Sequence, residues 1–453
     1  MPDLQAPLTP ALSLSEIIGG LSFALDLKEG HPPGHCLRCA WIGLNVGWRL
    51  DLPAAVLSDI HDTLLLKDTG CAANAQRLRH LCRDSKTPER HALAVAGVAA
   101  EGPLCAGKAG FPERRQDPGR RAGPDPALCL GLLHGRRRRS AAIVRHLGFS
   151  SEVAAGVCSL DEHWDGSGAP DGLAGLAIPL PARMALLAQV VDVVHAEGGP
   201  AAACREVRRR SGTWLDPNLV AAFEQAQRAR SFWRGLAAEG LARRVAAIQP
   251  PGRIVTVDEA RLDAIAAAFA EVVDAKGGST GGHGWRVADY AVAIAARLGW
   301  PAPQQRRLRR AALLHDIGKL AVSNEILDKP GKLDPDEWAA IHQHPAMSEQ
   351  ILGRIAVFRD LAAIAGAHHE RLDGKGYPKG LAAEAIPLEA RIITTADIFD
   401  ALIADRPYRG PLPPEHALAL MERERGTVVD GRCLDALKAY LRTAGPHPAA
   451  AGI

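Results

Sequence analysis

Apolar residues recur at helical spacing through the second half of the chain. Leu262, Ile265, Phe269, Val272 and Val273 form one stripe, opened by Asp258-Glu259 and closed by Gly277-Gly278. A second stripe starts at His283, runs through Val287, Tyr290, Ile294 and Leu298, and stops at Gly299 before Pro301. A third passes through Leu308, Ala312 and Leu313 into His315-Asp316, and a later one beginning at Pro387 carries Ile392, Ile393 and Phe399. No period-two run of β-branched residues breaks this pattern, so an all-α fold is expected.

Composition agrees and narrows the class. A chain of 453 residues has room for two or three domains. Its aromatic content of 4% against abundant Ala and Leu favours helix over strand. A net charge of +3 is too small to argue for nucleic acid or an acidic membrane surface. The basic runs Arg136-Arg139 and Arg306-Arg310 read as solvated faces. No stretch reaches the roughly 18 apolar residues that span a bilayer. The start, Met1-Pro2-Asp3, does not read as a signal peptide, so the expected compartment is the cytoplasm. The nine cysteines read as reduced thiols, and the lone Cys36-x-x-Cys39 is not expected to hold zinc.

The chemistry concentrates in the second half. His315 and Asp316 end an apolar helical run, and Lys319 follows at a spacing that brings it near both on a helix. An Asp can bridge two ions while each His caps one, and a nearby ammonium can hold a phosphate oxygen. A charged helix end with Gly318 as its cap would explain the same residues. His283, His344, His368, His369 and Asp397 decide between them: so many imidazoles on otherwise Ala/Leu-rich helices form a constellation, although each alone would be read as structural.

In order, the blocks are His283; His315-Asp316-Ile317-Gly318-Lys319; Ile326-Leu327-Asp328-Lys329-Pro330-Gly331-Lys332-Leu333; His344-Pro345; and His368-His369-Glu370-Arg371-Leu372-Asp373-Gly374-Lys375-Gly376-Tyr377-Pro378. Ile386-Pro387, Ala390-Arg391-Ile392, Ala396-Asp397 and Asp405-Arg406-Pro407-Tyr408-Arg409 complete them. From about Val257 to Leu441 the chain resembles the HD-GYP family of metal-dependent HD phosphohydrolases. The resemblance implies hydrolysis of cyclic di-GMP to pGpG and/or GMP by attack of a metal-bridged hydroxide. It also implies seven metal ligands, His283, His315, Asp316, His344, His368, His369 and Asp397, with Asp316 bridging ions that are typically iron or manganese. Lys319, Tyr377, Arg406 and Arg409 would contact the nucleotide, and Gly374, Gly376 and Pro378 would shape the loop. Catalysis would rest on Asp316 and Lys319 beside the metals.

Two departures from the family pattern stand out. Some relatives hold a third metal through a Glu four residues before the first His. Ser279 occupies that position, so two metals are expected. Val322-Ser323 replaces the usual Ile-Pro after the Lys region and is expected to alter a loop only. His342 lies off the motif and is expected at the surface or behind the ligands.

The first half repeats the second. Glu162 to Leu173 mirrors Glu370 to Leu381, both are followed by Ala-Ile-Pro-Leu, and His35 precedes Lys67-Asp68 by the spacing that separates His283 from His315. The ligand positions are changed: the HD pair reads Lys67-Asp68, the His-His pair Leu160-Asp161, the late Asp Gln189 and the GYP Tyr Ala169. Two HD-type helical domains in tandem are therefore expected. A degenerate copy spans 12–223, with 84–139 either a flexible insertion or the product of a reading-frame error in the gene sequence, followed by a linker region 224–256, the phosphohydrolase domain 257–441 and a tail 442–453. The degenerate copy would serve a structural, regulatory or sensory role. The short tail leaves no room for a helix-turn-helix, so DNA binding is not expected; nor is a membrane partner, while a homodimer is compatible with the sequence. A non-catalytic nucleotide-binding signalling module, or an HD phosphohydrolase for another nucleotide, are the alternatives. The intact ligand set and Lys319 favour the enzyme over the first, and the GYP loop with Arg406 and Arg409 argues against the second.

Overall fold

The computed structural model describes residues 11–13, 34–67, 126–237, 240–250, 254–256, 258–274, 282–327, 329, 331–404 and 410–444. It is an all-α protein that divides into two compact units, Glu29–Arg253 and Met1–Lys28 together with Ile254–Ile453. Ser279, Asp68, Arg406, Arg409 and most of the expected insertion lie outside the described residues.

Helices of the first unit are α1 (His35–Arg49), α2 (Ala54–Leu66), α3 (Pro126–His146), α4 (Ser151–Cys158), α5 (Leu180–Arg209, bent where Gly199 leaves helical geometry before Pro200), α6 (Pro217–Ala226), α7 (Arg230–Ala237) and α8 (Leu241–Ile248). The expected linker region is therefore largely helical. Phe232, Leu236 and Val245 are buried, and the Trp41 and Trp48 indoles donate to Phe232 O at 3.0 Å and Ile248 O at 2.8 Å, which ties α7 and α8 to α1. The end of the expected insertion is also ordered, as α3. Its run Arg136-Arg139 is not simply a solvated face: Arg137 is buried and its Nε donates to Asp161 at 2.8 Å.

The second unit opens with two three-residue strands, β1 (Ala11–Ser13) and β2 (Ile254–Thr256), paired antiparallel. This pairing places the start of the expected first domain with the second unit. The signal lay in the β-branched Ile254-Val255-Thr256, too short to register as a periodic strand. The helices follow as α9 (Glu259–Asp274), α10 (His283–Arg297), α11 (Ala302–Leu314), α12 (Asn324–Leu327), α13 (Pro335–His342), α14 (His344–Gly353), α15 (Ala362–Gly366), α16 (Leu388–Ile403), α17 (Pro414–Arg423) and α18 (Gly431–Ala444). Helix α10 is central and packs on α11, α16 and α18. Its Tyr290 is fully buried and meets Phe399 of α16 edge-on at 5.1 Å. The Arg306-Arg310 run, expected to face solvent, pins α11 to α9 instead. Arg310 is buried, and its Nε donates to Asp263 at 2.6 Å while Arg306 reaches the same carboxylate.

After α11 the chain tightens into a 3-10 turn, Ile317–Ala321, wedged against α14. Gly318 is the contact point. A Cβ there would collide with His344 O and lie 2.6 Å from the backbone nitrogen of Ser348. Gly318 is thus not the helix cap that the sequence alone would allow, but the place where two segments carrying His315 and His344 touch backbone to backbone. Replacing Gly318 by Ala is expected to destabilise the second unit by about 3 kcal/mol, read as a lower urea midpoint; an unchanged midpoint would contradict the close approach.

Candidate metal centre

Five segments meet around Asp316. His283 is the first residue of α10, His315 and Asp316 follow α11, His344 opens α14, His368 and His369 follow α15, and Asp397 lies within α16. The structure brings all seven expected residues into one cluster. The two oxygens of Asp316 face different partners. Oδ1 lies 3.3 Å from His344 Nε2 and 3.8 Å from His368 Nε2, whereas Oδ2 lies 3.2 Å from His315 Nε2 and 3.7 Å from His283 Nε2. Two groups of donor atoms close enough to hold an ion flank this carboxylate, His344/His368/His369 and His283/His315/Asp397.

The backbone sets the tautomer of three imidazoles. The Nδ1 atoms of His315, His344 and His368 donate to Ala312 O, Ile341 O and Ala365 O at 2.6, 2.7 and 2.6 Å. A carbonyl only accepts, so each neutral ring carries its proton on Nδ1 and turns the lone pair of Nε2 inward. His344 Nε2 and His368 Nε2 lie only 3.2 Å apart. Two lone pairs at that separation repel unless a cation lies between them. Buried His315 Nε2 and Asp316 Oδ1 have no hydrogen-bond partner. Donor atoms buried without partners, all nitrogen or oxygen, fit a divalent cation of the iron or manganese type.

Charge divides the site in two. Burial lowers the His283 pKa, but the hydrogen bonds it donates to Asp397 and Asp400 outweigh it and hold the ring at about 9. His315 is also raised against its burial, by Asp316. On the other side, burial and neighbouring imidazoles push His368 well down and His369 to about 3. Burial opposes ionisation of Asp316 and Asp397, yet the adjacent histidines, with Lys319 beside Asp316, hold both far below the ordinary carboxylate range. The buried carboxylates therefore remain anionic and demand positive charge.

Several supporting residues gave no motif signal. Asp400 accepts from His283 Nδ1 at 2.7 Å and from Arg286 Nε at 2.6 Å, which turns His283 Nε2 toward Asp397 at 3.2 Å. Asp274, at the end of α9, accepts from Gly282 N at 2.9 Å and so fixes the start of α10. Ser348 Oγ donates to His315 O and accepts from Gly318 N, and Thr394 Oγ1 donates to His368 O. His342 stacks on Tyr377 at 4.0 Å, and Tyr377 in turn stacks on His369 at 4.9 Å. Lys319 sits at the rim, its Nζ 2.5 Å from Asp316 Oδ2, on the 3-10 turn and not on a helix.

The first unit repeats this framework without the donor set. His35 Nδ1 and Arg38 Nε meet Asp192 at 2.7 and 2.6 Å, as His283 and Arg286 meet Asp400. Cys39 joins His35 and Asp192 in a buried group, but that carboxylate is already held by Arg38. Glu162 accepts from Asp171 N and Leu173 N, just as Glu370 accepts from Lys379 N and Leu381 N. Lys67 follows α2 as His315 follows α11, and it is fully buried.

Known proteins match over both units. A family profile described as HD domain matches residues 61–219 and 260–433. The 3'3'-cGAMP-specific phosphodiesterase 3 of Vibrio cholerae is 45% identical over 434 residues, 94% of each chain. The chain belongs to the HD-GYP family of HD-domain phosphohydrolases. Within that family, the cyclic di-GMP phosphodiesterase response regulator RpfG of Xanthomonas campestris is 43% identical over 171 residues, covering 37% of this chain and 45% of the relative. A crystal structure of a cyclic GMP-AMP-specific phosphodiesterase from V. cholerae is 41% identical, with a TM-score of 0.63 over 96% of this chain and 98% of that one. Among the described residues no helix is long and apolar enough to cross a membrane.

Asp400→Asn keeps the shape but weakens the brace on His283. It is expected to lower metal affinity by about 10–100-fold while helix content holds, measured by metal titration and circular dichroism; unchanged affinity would remove Asp400 from the support of the site.

Proposed function

We propose that this protein is a metal-dependent phosphodiesterase that opens a 3'3'-linked cyclic dinucleotide, with two divalent cations held on either side of Asp316. The observation that carries this reading is the division of Asp316, one oxygen toward His344 and His368 and the other toward His283 and His315. A single-ion site would not need a carboxylate shared in that way. Retention of all seven donors also argues against a module that only binds nucleotide.

Bound there, divalent ions would activate a water and neutralise charge on the phosphoryl oxygens. The protein's own groups define the rest. Lys319, 31% exposed at the rim, pairs with Asp316 and can turn its ammonium to a phosphoryl oxygen of an arriving substrate. Burial and the nearby Asp397 and Asp316 raise the Tyr377 pKa, so its hydroxyl stays protonated and can donate a hydrogen bond but not act as a base. Among the described residues no side chain stands out as a general base. Arg406 and Arg409 remain proposed phosphate contacts on the strength of the family pattern alone.

Cyclic di-GMP is the substrate expected from sequence, and a relative that matches over 37% of this chain is named for it. The relative that matches over both halves is specific for 3'3'-cGAMP, which favours the mixed dinucleotide as the better substrate. The first unit is read as a copy of the fold that has given up metal binding. At positions equivalent to ligands it buries Lys67, whose amine replaces an imidazole, and commits Asp161 to Arg137, so the donor set is broken there.

Purified protein with manganese or ferrous iron is expected to cleave 3'3'-cGAMP faster than cyclic di-GMP, and Asp316→Ala to lose on the order of a thousandfold in kcat/KM. No turnover with metal demonstrably bound would sink the proposal. Elemental analysis is expected to find two ions per chain, all from the second unit, and removal by a chelator to abolish turnover reversibly. Three ions, or two in a chain carrying Asp316→Ala, would contradict the assignment.

A further inference from the structure

The rings beside the centre do not stop at Tyr377. His342 stacks on Tyr377 at 4.0 Å with 22° between planes, and Trp338, one turn earlier on α13, meets His342 at 5.4 Å and 56°. Trp338, His342, Tyr377 and the candidate ligand His369 thus form a run of rings leading out from the donor cluster. The inner rings are occupied with one another. Trp338, at the outer end, is 49% exposed, and it is one of few large apolar side chains so exposed among the described residues.

A single exposed indole would need no explanation on a protein surface. This one ends a chain of ring contacts that begins on a candidate metal ligand, and its helix is held firmly. Asp334 and Glu337 form a reciprocal cap at the start of α13, Pro335 follows the cap, and Lys329 Nζ pairs with Glu337 at 2.5 Å. A rigid helix presenting a flat apolar face beside a phosphodiester centre matches what a nucleobase requires. Bases stack on aromatic rings, and any base can do so because each has a π face.

The geometry points to Trp338 as a platform on which one base of the substrate stacks, with His342 bracing it, while the phosphodiester lies at Asp316. This inference rests on the cyclic dinucleotide reading above and deepens it. Because stacking is tolerant of base identity, the platform supplies affinity and leaves the choice between guanine and adenine to other groups. The Trp338 ring is linked to the donor cluster only by way of His342 and Tyr377, so its contribution is expected in binding and not in turnover.

The test compares wild type, Trp338→Ala and Trp338→Phe on 3'3'-cGAMP and cyclic di-GMP, with metal content measured for each protein. Trp338→Ala is expected to raise KM by about tenfold for both dinucleotides, with kcat within about threefold and the ratio between substrates preserved. Trp338→Phe, which keeps a ring, is expected to recover most of the loss. An unchanged KM in Trp338→Ala, a fall in kcat alone, or a phenylalanine variant as poor as alanine would overturn the platform. If wild type cleaves neither dinucleotide with metal bound, the substrate reading fails and the platform with it. If wild type cleaves them and the alanine variant matches it, the platform alone fails.

Discussion

A buried carboxylate that cannot be left uncompensated organises the second unit. Asp316 is 5% exposed and sits among four imidazoles and one ammonium. Keeping an anion there is costly unless positive charge is brought to it. Lys319 supplies one charge from the rim. The carboxylates beside them raise His283 and His315, while burial drives His368 and His369 toward the neutral form. The convergence of helix ends, the backbone contact at Gly318 and the braces on the rings hold donor atoms around this one carboxylate.

The helix pattern and the seven clustered residues were legible in the sequence, because helical periodicity and His-rich motifs carry strong local signals. The supports were not. Asp400, Asp274, Ser348 and Thr394 are ordinary polar residues on or beside amphipathic helices, and nothing in their spacing separates them from solvent-facing ones. The buried arginines Arg137 and Arg310 were misread for the same reason, since a run of charges does not say which member turns inward. The internal repeat held an unused clue. His35, Arg38 and Asp192 preserve the arrangement of His283, Arg286 and Asp400 although the surrounding donors have changed. A polar trio kept where the chemistry is gone marks a structural brace.

That contrast separates two layers of one architecture. The loop that carries Tyr377 and its counterpart at Ala169 are organised alike: Gly376 and Gly168 each lie too close to neighbouring backbone to accept a Cβ, and Glu370 and Glu162 each take two backbone N–H groups. Both units also pin the helix after this loop, through Arg391 to Asp430 and Arg183 to Asp216. These contacts stabilise the helical body whether or not an ion is bound. The donor set is a separate layer placed on it, so one unit can hold metal-type donors while the other fills the same positions with Lys67, Leu160, Asp161 and Gln189.

The Nδ1 partners of His315, His344 and His368 are main-chain carbonyls, at Ala312, Ile341 and Ala365. Where a side-chain carboxylate orients a ring, one point mutation removes the orientation, as at Asp400. Here no change of side chain at the partner position deletes the acceptor, because every residue type brings its own C=O. Those three positions can drift freely in size and polarity as far as the tautomer is concerned. The orientation of these imidazoles is thereby inherited with the helical backbone, and it is insulated from much of the mutational load that the rest of the site must bear.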